Sequence, residues 1–332
     1  MSGVTFVINE DLKSYERPQR RIDKSGNLCL SSVILMLTVI NYILWINVTL
    51  CGEARYNALM DRVHHPKRNW FSIFLKGFGL LIVLGIFSAF VGKLWRDNRP
   101  AIHPVSLPKY PQWSGKSYGF APHPDEESEA VIQIYAARTR GTKQVVAVHS
   151  WIATKSEGAS KYTTSEIFGW RLRRNGTALR QGNDVPDHDW YGHPPDLLLD
   201  IRGPQAVELI PKIDNAIANY PYQQEYTAWP GPNSNTFIAW IGKEVPELGL
   251  DLPSTAIGKD WRPFSEMVGP SPSGTGLQAS FWGLLGLSVG WEEGLELNLF
   301  GLSFELDLLD LAIELPGIGR IGTDPVGCTP SQ

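Results

Sequence analysis

Two long apolar runs near the N-terminus constrain this sequence more than any other feature. Residues 28–50 contain no charged residue, and residues 71–92 contain one, Lys76, near the start of the run. A helix of about 20 apolar residues is long enough to cross the hydrocarbon core of a bilayer. The sequence therefore predicts transmembrane helices over 28–50 and 71–92. A polar tail over 1–27 would precede them, and a basic loop over 51–70 would connect them.

The flanking charges leave the membrane orientation open. Basic residues lie at both ends of both runs, so they do not fix which side the rest of the chain occupies. Met60 precedes a basic stretch and the second run, a pattern typical of a signal anchor. Translation from Met1 would give two spans, and translation from Met60 would give one. Either start predicts the lipid bilayer as a partner.

The composition supports a folded domain after the apolar runs. The chain has 332 residues, of which 43% are apolar and 19% are charged. The charged share is below the roughly 25% that is usual for soluble domains. The net charge of −4 argues against nucleic-acid binding, which needs a basic surface. With 32 glycines and 24 prolines, many turns and short strands are expected rather than a helical bundle.

The residues after the second run divide into three segments. Residues 93–127 are rich in proline and predict an extended tether. Residues 128–323 carry the patterns of a globular α+β domain, and residues 324–332 indicate a disordered tail. The patterns predict strands over 130–137, 144–154 and 161–173, and helices over 203–219 and 234–245.

Short apolar bursts separated by glycines follow from 276 to 315. The stretches LELNL and LSFELDL alternate with a period of two, which predicts a β-meander. A plain sheet core is the favoured interpretation of this apolar pattern. The alternative is a sheet that lies against the bilayer.

His149 lies in an apolar predicted strand, and the next predicted strand carries Glu166. A symmetric hairpin would place these two residues directly opposite each other, with Cβ atoms about 5 Å apart. A carboxylate there would orient the imidazole and raise its basicity, as a general base requires. The alternative is a structural His–Glu pair in a polar patch, and the residues alone favour that alternative.

Ser234 is a candidate nucleophile because of its place at a predicted helix start. The sequence Pro230, Gly231, Pro232 forces a turn, after which Asn233 or Ser234 caps the helix. A hydroxyl at a helix N-terminus lies at the positive end of the helix dipole, where backbone N–H groups can hold an oxyanion. An ordinary helix cap is the alternative, and caps far outnumber nucleophiles.

The sequence predicts no metal site and no cofactor. The cysteines Cys29, Cys51 and Cys328 lie in or beside the first apolar run and near the C-terminus, which excludes a cysteine nucleophile in the globular part. The acidic and histidine residues of 187–193 lack a defined ligand spacing. The glycines of 317–322 have dinucleotide-binding spacing, but too little chain follows to complete such a site.

Several stretches of the globular part form a recognisable set: AVHSWIA, YTTSEIFGWR, WYGHPPDLLLDIRG, WPGPNSNTFIAW, LGLDLPSTAIGKD and PSGTG. They resemble an uncharacterised bacterial family, the domain of unknown function numbered 3750, over nearly all of residues 130–322. The resemblance implies an N-terminal membrane anchor and favours the bacterial inner membrane. It implies no activity.

A second resemblance concerns the predicted helix start. The residues from Asn233 to Phe237 are similar to the N-C-x-x-F helix start of circularly permuted NlpC-type papain-like enzymes, which include the lecithin:retinol acyltransferases. In that group the catalytic histidine precedes the helix, as His149 precedes Ser234 here. Serine replaces the family's cysteine. The resemblance implies a papain-like antiparallel sheet with packed helices.

Two functions remain open at this point. The first is a hydrolase or acyltransferase on amide or ester bonds of peptide, cell-wall or lipid substrates. In it Ser234 would attack, His149 would act as base, and Glu166 would orient the imidazole. The second is a non-catalytic membrane-associated domain that binds a ligand or partner in the same cleft. The candidate ligand-binding residues are Trp229, Asn233, Asn235 and Trp151.

Overall fold

The computed structural model describes residues 70–98, 101–307 and 311–322. The predicted N-terminal tail, the first apolar run, nearly all of the basic loop and the C-terminal tail lie outside these residues. All the described residues belong to one compact unit, Arg68–Gln332.

Helix α1, Trp70–Asp97, contains the whole of the second predicted span. Within the described residues, one helix, Phe71–Asp97, is long and apolar enough to cross a membrane. Several of its large apolar side chains are exposed: Phe71, Phe74, Val83, Ile86, Phe87 and Phe90. The prediction of an apolar helix at this position is confirmed.

Five antiparallel strands form a first sheet in the order β4-β3-β2-β1-β5. The strands are β1 Val131–Arg138, β2 Val148–Lys155, β3 Thr163–Ile167, β4 Leu179–Gly182 and β5 Asp196–Arg202. The helices that follow α1 are α2 Gly169–Asn175, α3 Pro204–Ala218 and α4 Ser234–Glu244. Short 3₁₀ helices cover Gly141–Val145, Pro246–Leu248 and Phe264–Glu266. The α+β class and the predicted helices α3 and α4 are confirmed.

The first sheet is covered on both faces, because successive side chains of a strand point to opposite sides. One face packs against α3 and α4, and its core includes Ile134 of β1 and Ile152 of β2. The other face carries Tyr135 and Trp151, which pack with residues from outside the sheet. The side chains on the two faces of β2 therefore pack into two separate core clusters.

The segment predicted as a tether is part of the folded domain. Tyr110 and Trp113 are buried and belong to the same core cluster as Tyr162. The Tyr162 hydroxyl also donates a hydrogen bond of 3.0 Å to the carbonyl of Pro122. The extended-tether prediction is corrected for these residues, because the aromatic side chains between the prolines cover the second face of the sheet.

Seven antiparallel strands form a second sheet in the order β12-β11-β10-β9-β8-β7-β6, which confirms the predicted meander. The strands are β6 Val268–Pro270, β7 Leu277–Phe281, β8 Leu285–Gly290, β9 Gly294–Leu299, β10 Leu302–Asp307, β11 Ala312–Leu315 and β12 Gly319–Ile321.

The second sheet turns its polar face inward. Its cross-strand register aligns a buried polar row: Gln278, Ser288, Glu296, Glu305 and Glu314. The carboxylate of buried Asp260 accepts hydrogen bonds of 2.6 Å from the amides of Gln278 and Asn298. The favoured interpretation of an apolar sheet core is therefore wrong. A period of two shows which residues share a face, but it does not show which face is buried.

Candidate functional site

His149 and Glu166 lie on the same face of the first sheet and touch. The distance between Nε2 of His149 and Oε2 of Glu166 is 3.3 Å. The β2–β3 register pairs Ile152 with Ser165, and its extension puts Glu166 opposite Trp151 rather than opposite His149. The predicted register is thus two residues off. The contact survives because a shift of two residues keeps every side chain on its face.

Glu166 also binds Arg180, its partner in the β3–β4 register. Nη1 of Arg180 donates a hydrogen bond of 2.6 Å to Oε1 of Glu166, and Nη2 pairs with Asp184. The Glu166 side chain is buried, whereas those of Arg180 and Asp184 are partly exposed. His149, Glu166, Arg180 and Asp184 form one chain of polar contacts that runs from the interior to the surface.

The His149 ring is buried between aromatic rings. Its centroid lies 3.9 Å from that of Trp190 at an interplanar angle of 5°, and 5.5 Å from that of Phe168. Burial lowers the pKa of His149, and the contact with Glu166 opposes that shift only in part. A carboxylate only accepts hydrogen bonds, so the contact makes Nε2 of His149 the donor. A neutral imidazole that donates to Glu166 fits this environment.

A cavity of about 760 Å³ opens next to this polar chain. Its volume falls in the range of about 300–1,000 Å³ that is usual for small-molecule sites. Aromatic residues and charged groups line it together, and the lining includes Trp113, Tyr162, Glu166, Phe168, Trp170, Arg180, Asp184 and Trp190. The arrangement offers flat apolar faces and hydrogen-bonding groups to one ligand.

Ser234 lies on the other side of the sheet from this cavity. His149 and Ser150 are consecutive residues of β2, so their side chains point to opposite faces. The Ser150 hydroxyl donates a hydrogen bond of 2.8 Å to Oδ1 of Asn235, which belongs to α4. Helix α4 and Ser234, its first residue, therefore pack on the Ser150 face. The structure brings His149 to Glu166 but does not bring Ser234 to His149.

The backbone donors at the start of α4 are occupied by a capping box. Oδ1 of Asn233 accepts from the N–H groups of Asn235 and Thr236, at 2.9 and 3.3 Å. The N–H of Asn233 donates in turn to the Thr236 hydroxyl at 3.1 Å. Three of the N–H groups that were predicted to hold an oxyanion, those of Asn233, Asn235 and Thr236, thus serve the helix cap.

The side-chain amides of Asn233 and Asn235 are committed to the fold as well. Nδ2 of Asn233 donates to the carbonyls of Ala228 and Ile257, at 3.2 and 2.9 Å. Nδ2 of Asn235 donates to Val148 and Ile257, at 3.1 and 2.9 Å. Each amide donates twice, which is its full capacity. Asn235 fixes the helix start to β2, and both asparagines fix it to the chain around Ile257.

Neither of the two predicted ligand-binding tryptophans lines the cavity. Trp151 is fully buried, and its indole N–H donates to the carbonyl of Pro186 at 2.7 Å. Trp229 is 51% exposed, and its indole N–H donates to the carbonyl of Phe300 at 3.1 Å, at the β9–β10 turn. Trp151 therefore supports the cavity wall from behind, and Trp229 lies at the second sheet.

A second group of charged residues is buried against the second sheet. Nζ of Lys259 lies 2.9 Å from Oε2 of Glu296 and 3.9 Å from Oε2 of Glu305. Burial, reinforced by neighbouring carboxylates, raises the pKa of Glu296 to about 7 and that of Glu305 to about 11. Among the described residues, Asp251, Glu305 and Glu314 place carboxylate oxygens within 4.8 Å of one another. Such oxygens suit a hard cation, but Lys259 and Arg320 already supply positive charge here.

Sequence reasoning missed the residues that give the cavity its character: Trp170, Arg180, Asp184 and Trp190. Arg180 lies on β4, a strand of four residues that carries almost no periodic signal. Trp190 comes from a loop rich in glycine and proline, whose acidic and histidine residues were considered only as metal ligands. The available signal was the concentration of aromatic and charged residues over 162–190.

Comparison with known proteins gives one finding. No curated protein and no solved structure matches the sequence. A family model matches residues 129–261, which contain the whole first sheet, α3 and α4. The match ends before the second sheet and short of residue 322, where the resemblance was expected to end. The family model that matches residues 129–261 is described as a protein of unknown function, DUF3750.

Proposed function

We propose that this chain is a membrane-associated binding protein without catalytic activity, and that its ligand enters the cavity beside Glu166. The observation that carries the proposal is the composition of that cavity, which is lined by both aromatic rings and charged side chains. The apolar helix α1 supports the membrane association.

The chemistry of the lining favours a saccharide–peptide fragment of the bacterial cell wall. Trp170 is 49% exposed at the cavity, so its ring can stack on the flat face of a sugar. Arg180 and Asp184 stand beside it as a partly exposed pair of opposite charge. Such groups can hydrogen-bond the amides and carboxylates of a short peptide. The cavity volume suits a ligand of a few rings.

The alternative is the serine-dependent hydrolase or acyltransferase. The His149–Glu166 contact favours it, because this pair has the geometry of an oriented base. The position of Ser234 beyond the sheet and the capped N–H groups argue against it. A papain-like fold likewise remains a proposal. Its support is the start of α4 packed against the histidine strand, as in the enzymes that the sequence resembles.

The test compares two tryptophans of matched exposure. The full chain in detergent is titrated calorimetrically with a soluble disaccharide–tetrapeptide cell-wall fragment. Trp170→Ala is expected to weaken binding by about tenfold or more, since loss of a stacked ring is worth a kcal/mol or more. Trp229→Ala, at the second sheet, should leave the affinity within about twofold. Equal affinities for Trp170→Ala and the unchanged protein would contradict the proposed site.

A further inference from the structure

The outer face of the second sheet is apolar across at least four strands. The register aligns an exposed row from β7 to β10: Leu277, Val289, Leu295 and Leu306. Leu287 and Phe281 are exposed on the same face. A continuous apolar surface of this kind is a mark of an interaction site in a folded protein.

This apolar face is not part of the protein's interior, because the buried side of the sheet is the opposite one. The opposite face holds the buried polar row, and Lys259 and Asp260 pack against it through buried ion pairs and hydrogen bonds. Sheets in water bury their apolar side, whereas sheets that contact lipid point apolar side chains outward and polar ones inward. The alternation here is that of a sheet in contact with lipid.

Helix α1 extends the same apolar surface. The rings of Phe78 and Phe300 meet at a centroid distance of 6.2 Å. A Cβ atom at Gly85 would lie 3.0 Å from side-chain atoms of Leu302, so the helix closely approaches β10 there. Further along, the Ser88 hydroxyl donates to the carbonyl of Pro316 at 2.8 Å.

These contacts mean that α1 does not stand clear of the domain as a stalk. The helix has 28 residues and is about 42 Å long, and its contacts with the sheet begin at Phe78 and extend to Arg96. Only about the first two turns lie before the first of these contacts. If α1 lies in a bilayer, the outer face of the sheet therefore contacts that bilayer as well.

The strands are too short to cross the bilayer. They have three to six residues, against the 9–11 or so that a spanning strand needs. Trp282 and Trp291 lie in turns at opposite ends of β8 and are exposed. Tryptophan favours the boundary between lipid and water, and two such residues can anchor the edges of an embedded patch.

We propose that the outer face of the second sheet is embedded in one leaflet of the lipid bilayer that receives α1. The occupant of the face is the acyl-chain region of phospholipids. The inference deepens the membrane association of the proposed function and is independent of the ligand in the cavity. It predicts that the cavity beside Glu166 is held at a fixed short distance from the membrane.

Depth-dependent fluorescence quenching tests the proposal. Single cysteines are introduced into full chain whose native cysteines are replaced by serine, then labelled with an NBD fluorophore and reconstituted into phosphatidylcholine vesicles. The test sites are Leu287→Cys and Val289→Cys on the outer face. Val207→Cys on α3 is the matched control, because Val207 is 47% exposed and Leu287 is 49% exposed. Phe87→Cys on the exposed side of α1 is the reference for lipid contact.

Doxyl-labelled phospholipid is expected to quench the fluorophore at 287, 289 and 87 by at least half, and that at 207 by less than a tenth. Quenching at 87 without quenching at 287 and 289 would overturn the embedded sheet but leave membrane association intact. Protection of 287 from aqueous iodide without doxyl quenching would show a protein contact instead, and would also overturn the proposal. Quenching at none of the four sites would contradict membrane association itself.

Discussion

The hydroxyl of Ser150 donates a hydrogen bond of 2.8 Å to Oδ1 of Asn235, and this contact fixes helix α4 to one face of the first sheet. His149, the preceding residue of β2, points to the other face and stacks on Trp190. The candidate nucleophile and the candidate base are thereby separated by the sheet. The cavity lies on the side of the base, which is why we assign binding to that side.

The serine chemistry that the sequence suggested gives the first prediction. A fluorophosphonate probe is expected to leave Ser234 unmodified in the folded protein, because the candidate base His149 points to the other face of the sheet. Mass spectrometry of the tryptic peptides measures the modification. Labelling of Ser234 that disappears in His149→Ala would restore the enzyme hypothesis.

Asn235 is predicted to be a structural residue. Asn235→Ala removes hydrogen bonds to Ser150, Val148 and Ile257 and leaves buried partners unsatisfied. We expect the free energy of unfolding to fall by about 2–4 kcal/mol, as measured by denaturant titration in detergent. Asn219→Ala, at the exposed end of α3, is the control and should change it by about 0.5 kcal/mol or less. Equal stabilities of the two variants would contradict the structural role.

His149 is predicted to make the fold sensitive to acid. Burial lowers its pKa below the ordinary value of 6.5, so the unfolded chain binds its proton more readily than the folded chain does. Stability should therefore be highest above pH 6.5 and fall as the pH falls below it. His149→Gln should reduce this loss, as measured by thermal unfolding between pH 7.5 and 5. An unchanged pH dependence in the variant would show that protonation of His149 does not destabilise the folded protein.

Lys259 is predicted to stabilise the interior of the second sheet. Lys259→Met would leave the buried carboxylate of Glu296 without its partner at 2.9 Å, and should cost about 3–5 kcal/mol of unfolding free energy. Lys212→Met is the matched control, because Lys212 pairs with Glu208 and Glu247 at the surface. The control should cost less than about 1 kcal/mol. A loss no larger than that of the Lys212→Met control would contradict the stabilising role of Lys259.

The sequence predicted structural features correctly where a local residue pattern determines them. The apolar run that became α1 and the helical spacing of α3 were both recognisable. The His149–Glu166 contact was foreseen despite an incorrect register, because alternation fixes the face of a residue more firmly than its partner.

The features that the sequence did not show depend on tertiary packing. The side of the sheet on which α4 packs is set by the contact of Asn235 with Ser150 and Val148, which lie far away in the chain. The inverted second sheet follows from the burial of Asp260 against its polar face. The alternation of polar and apolar residues along a strand is the same whichever face of the sheet is buried.

Hydrogen–deuterium exchange with and without the disaccharide–tetrapeptide fragment locates the bound ligand without any substitution. Binding in the cavity beside Glu166 predicts slower exchange in peptides that cover 162–193. It predicts no change in peptides that cover 229–241, at the start of α4. Slower exchange confined to 229–241 would place the site at Ser234 and contradict binding in the cavity.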